Sequence, residues 1–176
     1  MACDITVGRT EPCKDSVGGL KNMYIVNYSG TLLSGATLDA NDQITGLASV
    51  VVAYKFELKG ANTFDEANEN SRDNGTSFWT GTGTIVLKKQ DLTTQKEFKL
   101  LSYGRPQILI EDYNGNFRLA GAENGCEVSV NTASGAVMGD LNGYTLTFTS
   151  TESAMASYVS SAIVGAGAGF DFNVTA

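Results

Sequence analysis

Histidine is absent from this chain of 176 residues. That absence excludes imidazole-based triads, histidine metal ligands and histidine acid–base chemistry, leaving carboxylates, lysine, tyrosine or cysteine for any reaction. Proline occurs twice and cysteine three times, as Cys3, Cys13 and Cys126. An odd cysteine count without a CxxC pair argues against a disulfide framework and against structural zinc. Cys3 and Cys13 are close enough in sequence to pair, but reduced thiols are expected. No apolar run approaches the roughly 18 residues of a membrane span. Residues 1–30 contain no basic segment followed by an apolar core, and Asp4, Glu11 and Asp15 interrupt them. No secretory leader is therefore expected, and folding in a cytoplasm is. Positive charge is scarce as well: 12 Lys and Arg against 19 Asp and Glu give a net charge of −7. Such a surface does not grip nucleic acid by neutralising phosphates. It suits a protein that faces nucleic acid only where the requirement is not to stick.

Glycine is abundant, with 20 residues, and Thr, Ser, Val and aromatics are plentiful. That mixture predicts strands separated by glycine turns. The dipeptides Asn74-Gly75, Asn114-Gly115, Asn124-Gly125 and Asn142-Gly143 suit type I′ turns, in which both central residues take positive φ. Strands are expected at Met23–Tyr28, Ser49–Leu58, Ser77–Lys89, Gln107–Tyr113, Asn116–Ala120, Cys126–Val130 and Tyr144–Ser150. A short final strand carries Phe170, Phe172 and Val174. In Ser49–Leu58 the residues Val52, Tyr54, Phe56 and Leu58 share one face, with Lys55 and Glu57 on a wet one. The strand at Ser77–Lys89 is expected to bend at Gly81 and Gly83. One helix is predicted over about residues 91–103, capped by Asp91 or by a Thr94/Glu97 capping box. Leu92, Phe98, Leu100 and Leu101 form its stripe. The polar stretch 59–76 reads as a long loop or an extended hairpin tip, unusual in a compact domain unless it has work to do. Residues 151–164 hold at most a weak helical turn, and Gly165–Gly169 reads as a hinge. No βαβ rhythm and no repeat is present. The expected fold is mainly β: an antiparallel β-sandwich or barrel with one short helix. It is read as a single domain over 1–176, with an extended N-terminal segment (1–22) and a C-terminal tail (165–176).

The stretch IEDYNGNFRLAGAENG, residues 110–125, invites a calcium reading. Asp112, Asn114, Asn116 and Glu123 fall at positions one, three, five and twelve of an EF-hand loop. Position six requires glycine and is Phe117, and the flanks read as strands, so a hairpin is favoured and no metal site is expected. Glu111 and Asp112 are neighbours in a strand and face opposite sides, so they are no preformed acid–base pair; a solvated strand edge is expected. GAGAGF at 165–170 neither follows a clear strand nor opens a helix, which excludes a dinucleotide loop. Lys88, Lys89, Lys96, Lys99 and Arg105 make a mild basic cluster, read as a solvated helix face or as a partner for the acids of 65–73. Phe78 and Trp79 are expected to send one ring to the core and one to an interface. No catalytic residue and no cofactor is assigned, and an enzyme is the weakest reading.

The order of features is informative. AYKFELKG precedes an acidic stretch and NGTSFW; TIVLKK leads into LTTQKEFKLLSYGR; then come ILIEDYNGNFRLAG, ENGCEVSV and SGAVMGDLNGYTLTFTSTE. With the opening MACDIT and GRTEPCKDSVGGL, this pattern resembles the tail tube proteins of tailed bacteriophages over nearly the whole chain. The resemblance implies a virion structural protein, with six copies joined through their sheets into a ring and rings stacked into a hollow tube. It implies that genomic DNA passes through the lumen without specific binding. It implies contact with other tail proteins such as a tape measure, a baseplate or terminator and a sheath, and no membrane partner. The location implied is the virion tail, assembled in the host bacterial cytoplasm. On this reading Asp112 and Glu123 are candidates for a wet surface, a subunit joint or the bore. The alternatives are another ring-forming virion component, such as a neck or terminator ring, and a carbohydrate-binding β-sandwich module.

Overall fold

Alternation of apolar and polar residues drives the chain into two sheets. The computed structural model describes residue 5 and residues 7–173. The strands are β1 (Leu20–Val26), β2 (Thr37–Leu38), β3 (Ile44–Gly46), β4 (Val51–Glu57), β5 (Thr63–Ser71) and β6 (Thr76–Lys88). After helix α1 (Leu92–Leu101) come β7 (Gln107–Asp112), β8 (Phe117–Ala120), β9 (Cys126–Ala133), β10 (Gly143–Glu152), β11 (Ser157–Val159) and β12 (Phe170–Asn173). A 3-10 turn at Ser161–Ile163 precedes β12. The larger sheet has the order β12-β4-β1-β7-β8-β11-β3-β2, and the smaller has β5-β6-β10-β9. The fold is thus mainly β with one helix, as expected. Two pairs at the margins of the larger sheet, β12 with β4 and β11 with β3, are parallel rather than antiparallel.

The larger sheet is buried on both faces. On one, Met23, Ile25, Ile108 and Ile110 pack against Ile85, Leu146 and Phe148 of the smaller sheet and against Phe98 of α1. On the other, Tyr24, Val26, Leu109 and Leu119 pack with Ile44, Ala53, Val159 and Phe170 as the sheet curls over itself. This corrects the reading of Ser49–Leu58 as a strand with one wet side. Ala53 lies on the supposedly wet face and is fully buried, while Val52 on the supposedly dry face is exposed. A period-two pattern identifies the strand but not which face has a partner.

Local structure decides between several of the sequence readings. The polar stretch 59–76 is the extended hairpin rather than the long loop: β5 pairs residue for residue with β6 from Thr63↔Thr84 to Ser71↔Thr76, leaving a turn at residues 72–75. Only Phe64 of β5 reaches the core, so apolar periodicity could not reveal it. The strand β6 is continuous through Gly81 and Gly83. Glycine is needed at 83 because a Cβ there would enter the Phe148 ring. Asn-Gly turns of type I′ do not form: Gly75, Gly115 and Gly125 have positive φ, but the asparagines before them do not, and Gly143 opens a strand. Helix α1 is capped by Asp91, whose carboxylate accepts from the N–H groups of Thr93 and Thr94. The Thr94/Glu97 box is unused, and Leu92 and Leu100 of the expected stripe are exposed.

Within the expected C-terminal tail, Phe170–Asn173 forms the short final strand. A turn closed by Gly165 N–H to Phe170 O and Gly167 N–H to the Asp171 carboxylate delivers the buried Phe170 to β4. Val174 and Cys3, and with Cys3 the expected state of the Cys3–Cys13 thiols, lie outside the described residues. Cys126 is buried, and burial, with the Glu152 charge second, pushes its thiol up to about 12, which makes it unreactive.

Candidate assembly surface

The smaller sheet turns Ile85, Leu146, Phe148 and Val128 to the core and leaves its other face to solvent. Strand alternation fixes what that outer face carries. Thr80, Thr82 and Thr84 of β6 stand beside Thr151, Thr149 and Thr147 of β10. On the flanks, Asp65 and Glu69 project from β5, and Glu127 projects from β9. The pairings align Asp65, Thr82, Thr149 and Glu127 in one row across the sheet. Phe78 is the aromatic side chain of this face and is half-buried, as is Trp79 on the opposite one. The expected division of those two rings between core and interface is therefore not sharp.

Among the described residues, both flanking strands, β5 and β9, have one unpaired edge. Successive antiparallel pairings make them run in opposite directions. An open edge is a row of unused backbone donors and acceptors, and so a template for another strand. Near the far end of β6, the β9–β10 loop exposes Val137 and Met138, with the Asp140 carboxylate accepting from Ala136 and Val137 N–H.

The carboxylates picked out in the sequence are brought to different tasks. Asp112 accepts from Asn114 N–H, Asn116 N–H and the Asn116 side-chain amide, which closes the β7–β8 turn. Those bonds hold its carboxyl below the usual range although burial alone would raise it. The Asn114 side chain grips the backbone of Val17, accepting from its N–H at 3.0 Å and donating to its carbonyl at 2.8 Å. Glu123 accepts from Ser153, while Glu152 accepts from the N–H groups of Glu123 and Asn124. Burial, ahead of the neighbouring Glu123 charge, leaves Glu152 above the usual range. Asp112 and Glu123 are thus turn fasteners, and neither lies on the outer face of the smaller sheet. No cluster of three potential metal ligands exists among the described residues.

Glu111 departs from the solvated edge expected of it. It is 6% exposed and accepts from Asn22 Nδ2 at 2.6 Å, Tyr24 OH at 2.9 Å and Lys21 Nζ at 2.9 Å. A register slip between Leu20 and Asn22 opposite β7 lets Lys21 and Asn22 reach the same carboxylate. Burial raises the Glu111 pKa, but the three donors outweigh it and hold the carboxyl below its ordinary value. The basic cluster around α1 forms no ion pair with the acids of 65–73 among the described residues. Arg118 from β8 meets Glu66 instead, at 3.8 Å, and lies over the Phe64 ring.

A cleft of about 280 Å³ lies where Val17–Leu20 pass Asn62–Asp65 and the β7–β8 turn. Three of its polar side chains are already engaged, Asn114 by Val17, Asp112 by its turn and Arg118 by Glu66. The outer face and edges of the smaller sheet were missed in the sequence because β5 read as loop. The TGTGT of residues 80–84 and the alternating threonines of 145–149 were the available signals. No helix of the described residues is long and apolar enough to cross a membrane. No protein-family model, no curated protein and no solved structure matches the chain.

Proposed function

We propose that this chain is the subunit of a phage tail tube: a virion structural protein whose copies close into hexameric rings that stack around a channel for DNA. One observation carries the reading. The smaller sheet ends in two open strands, β5 with nine residues and β9 with eight, that run antiparallel to each other. A copy rotated about an axis along the strands offers its β5 to β9 of its neighbour and continues the antiparallel ladder, a heterologous contact that closes when the rotation does. The hydroxyl- and carboxylate-bearing face then lines the channel. Asp65, Glu69 and Glu127 repel phosphate, so DNA slides without being trapped. A carbohydrate platform is less well supported, because that face presents threonines rather than a row of aromatics.

Negative-stain microscopy of the purified full chain over a range of concentration and salt tests this. Rings or tubes with a central channel are expected. A protein that stays monomeric under every condition, or a purified phage tail without this chain, overturns the reading.

A further inference from the structure

On the outer face of the smaller sheet, the exposed carboxylates are confined to the two open strands. Asp65 and Glu69 stand on β5 and Glu127 on β9, while the central strands put Thr82 and Thr149 in the Asp65–Glu127 row and Phe78 beside Glu69. Lys88, the cation of this face, sits at the last residue of β6, far from the Glu69 end. Charged side chains on an open edge act against pairing of that edge. Here both edges carry the same sign on the same face.

We propose that ring closure is gated by like charge: Glu127 of one copy meets Asp65 and Glu69 of the next, and the joint forms only when this repulsion is screened. The inference rests on the tail-tube reading and adds what regulates the joint. Face matching restricts the register, because Glu127 must oppose an outward residue of β5. Extending the row Asp65–Thr82–Thr149–Glu127 places Glu127 opposite Asp65 of the neighbour. Overlapping the two strands flush, Ala133 against Thr63, places it opposite Glu69. In the intermediate register, opposite Ala67, it is diagonal to both acids, and opposite Ser71 it is diagonal to Glu69. Facing pairs and diagonals lie about 5–8 Å apart, where like charges oppose pairing. The subunit therefore stays unassembled at low ionic strength and closes when salt shortens the range of the repulsion.

Sedimentation velocity and negative-stain microscopy of the full chain across a salt series test this, with charge reversals. Wild type is expected to assemble only above a threshold salt concentration. E127K pairs opposite charges across the joint, and its threshold falls on the order of threefold, because a screened repulsion becomes an attraction. D65K/E69K/E127K restores like charge with lysines, so its threshold returns toward wild type although its net charge is closest to zero. E11Q/D15N/E97Q, altered outside this sheet, behaves as wild type. If E127K assembles at the wild-type threshold, the gate is overturned while the tube reading stands. If the triple reversal assembles as readily as E127K, net charge controls assembly, and the proposed pairing of these edges is wrong. If no variant forms rings at any salt, the tube reading and the gate both fall.

Discussion

A carboxylate placed between β1 and β7 loses its hydration, and Glu111 offsets the loss with donors from three residues at the start of β1, Lys21, Asn22 and Tyr24. Truncating it to alanine strands the Asn22 amide and the Tyr24 hydroxyl in a buried site. Glu111→Ala is therefore expected to cost about 3 kcal/mol in urea unfolding at neutral pH. Because the folded-state pKa of Glu111 is depressed, its contribution is present above the ordinary carboxylate value and lost as pH falls through the depressed one. The gap between wild type and Glu111→Ala should narrow as pH drops below about 4. A gap that stays constant into acid would show that packing, not the charged bonds, sets the cost. Glu152 has the opposite sign. Its pKa is raised by burial, so its contribution is fully present below the ordinary value and fades as pH rises through the raised one. Adjacent residues in one strand thus gave the wrong picture for Glu111. Facing opposite ways was correct for Glu111 and Asp112, but the side taken by Glu111 is closed by the curl of the larger sheet.

At the scale of the element, β6 shows how a tertiary contact explains a residue that propensity would reject. Glycine weakens a strand, yet Gly83 lies mid-strand beneath Phe148, whose fully buried ring stacks on Phe64 at 5.8 Å. Gly83→Ala should destabilise the fold by about 2–3 kcal/mol through overpacking. Combined with Phe148→Leu it should cost less than the two single changes summed, since the smaller side chain makes room. Additive costs in denaturant melts would exclude a steric cause. The same element marks what the sequence made legible. Strands whose side chains enter the core, alternately as in β10 or on both faces as in β7, were readable to within a few residues, as were β9 and α1. The strand β5 was not, because Phe64 is its one residue in the apolar core, its second anchor is the charged Glu66 held by Arg118 and the Ala156 N–H, and its remaining residues take their conformation from pairing with β6. The short β2, β3 and β11 were invisible because two or three residues carry no periodicity. The candidate surface was half legible for the same reason: its threonines alternate visibly at 80–84 and 145–149, while its acids on β5 lay in apparent loop.

At the scale of the molecule, the two sheets differ in how much their stability depends on a neighbour. The larger sheet is covered on both faces, and its central strands β1 and β7 contain Met23, Val26, Ile108 and Leu109, all fully buried. The smaller sheet has one covered face and two open strands, and β5 beyond Phe64 is almost wholly exposed. Hydrogen exchange reads this difference directly, because protection follows the free energy of local opening. In the unassembled chain, amides of β1 and β7 should exchange only through global unfolding, whereas those of β5 from Asp65 onward and of the outer edge of β9 should exchange orders of magnitude faster. Assembly pairs the two edges, so peptides covering 64–71 and 126–133 should gain protection while those covering 20–26 and 107–112 change little. If particles form and the gain appears instead in the β9–β10 loop around Val137 and Met138, copies meet end to end through that loop rather than edge to edge. An unchanged pattern in 64–71 within intact rings would remove β5 from the joint, and with it the strand-to-strand closure on which the channel lining depends.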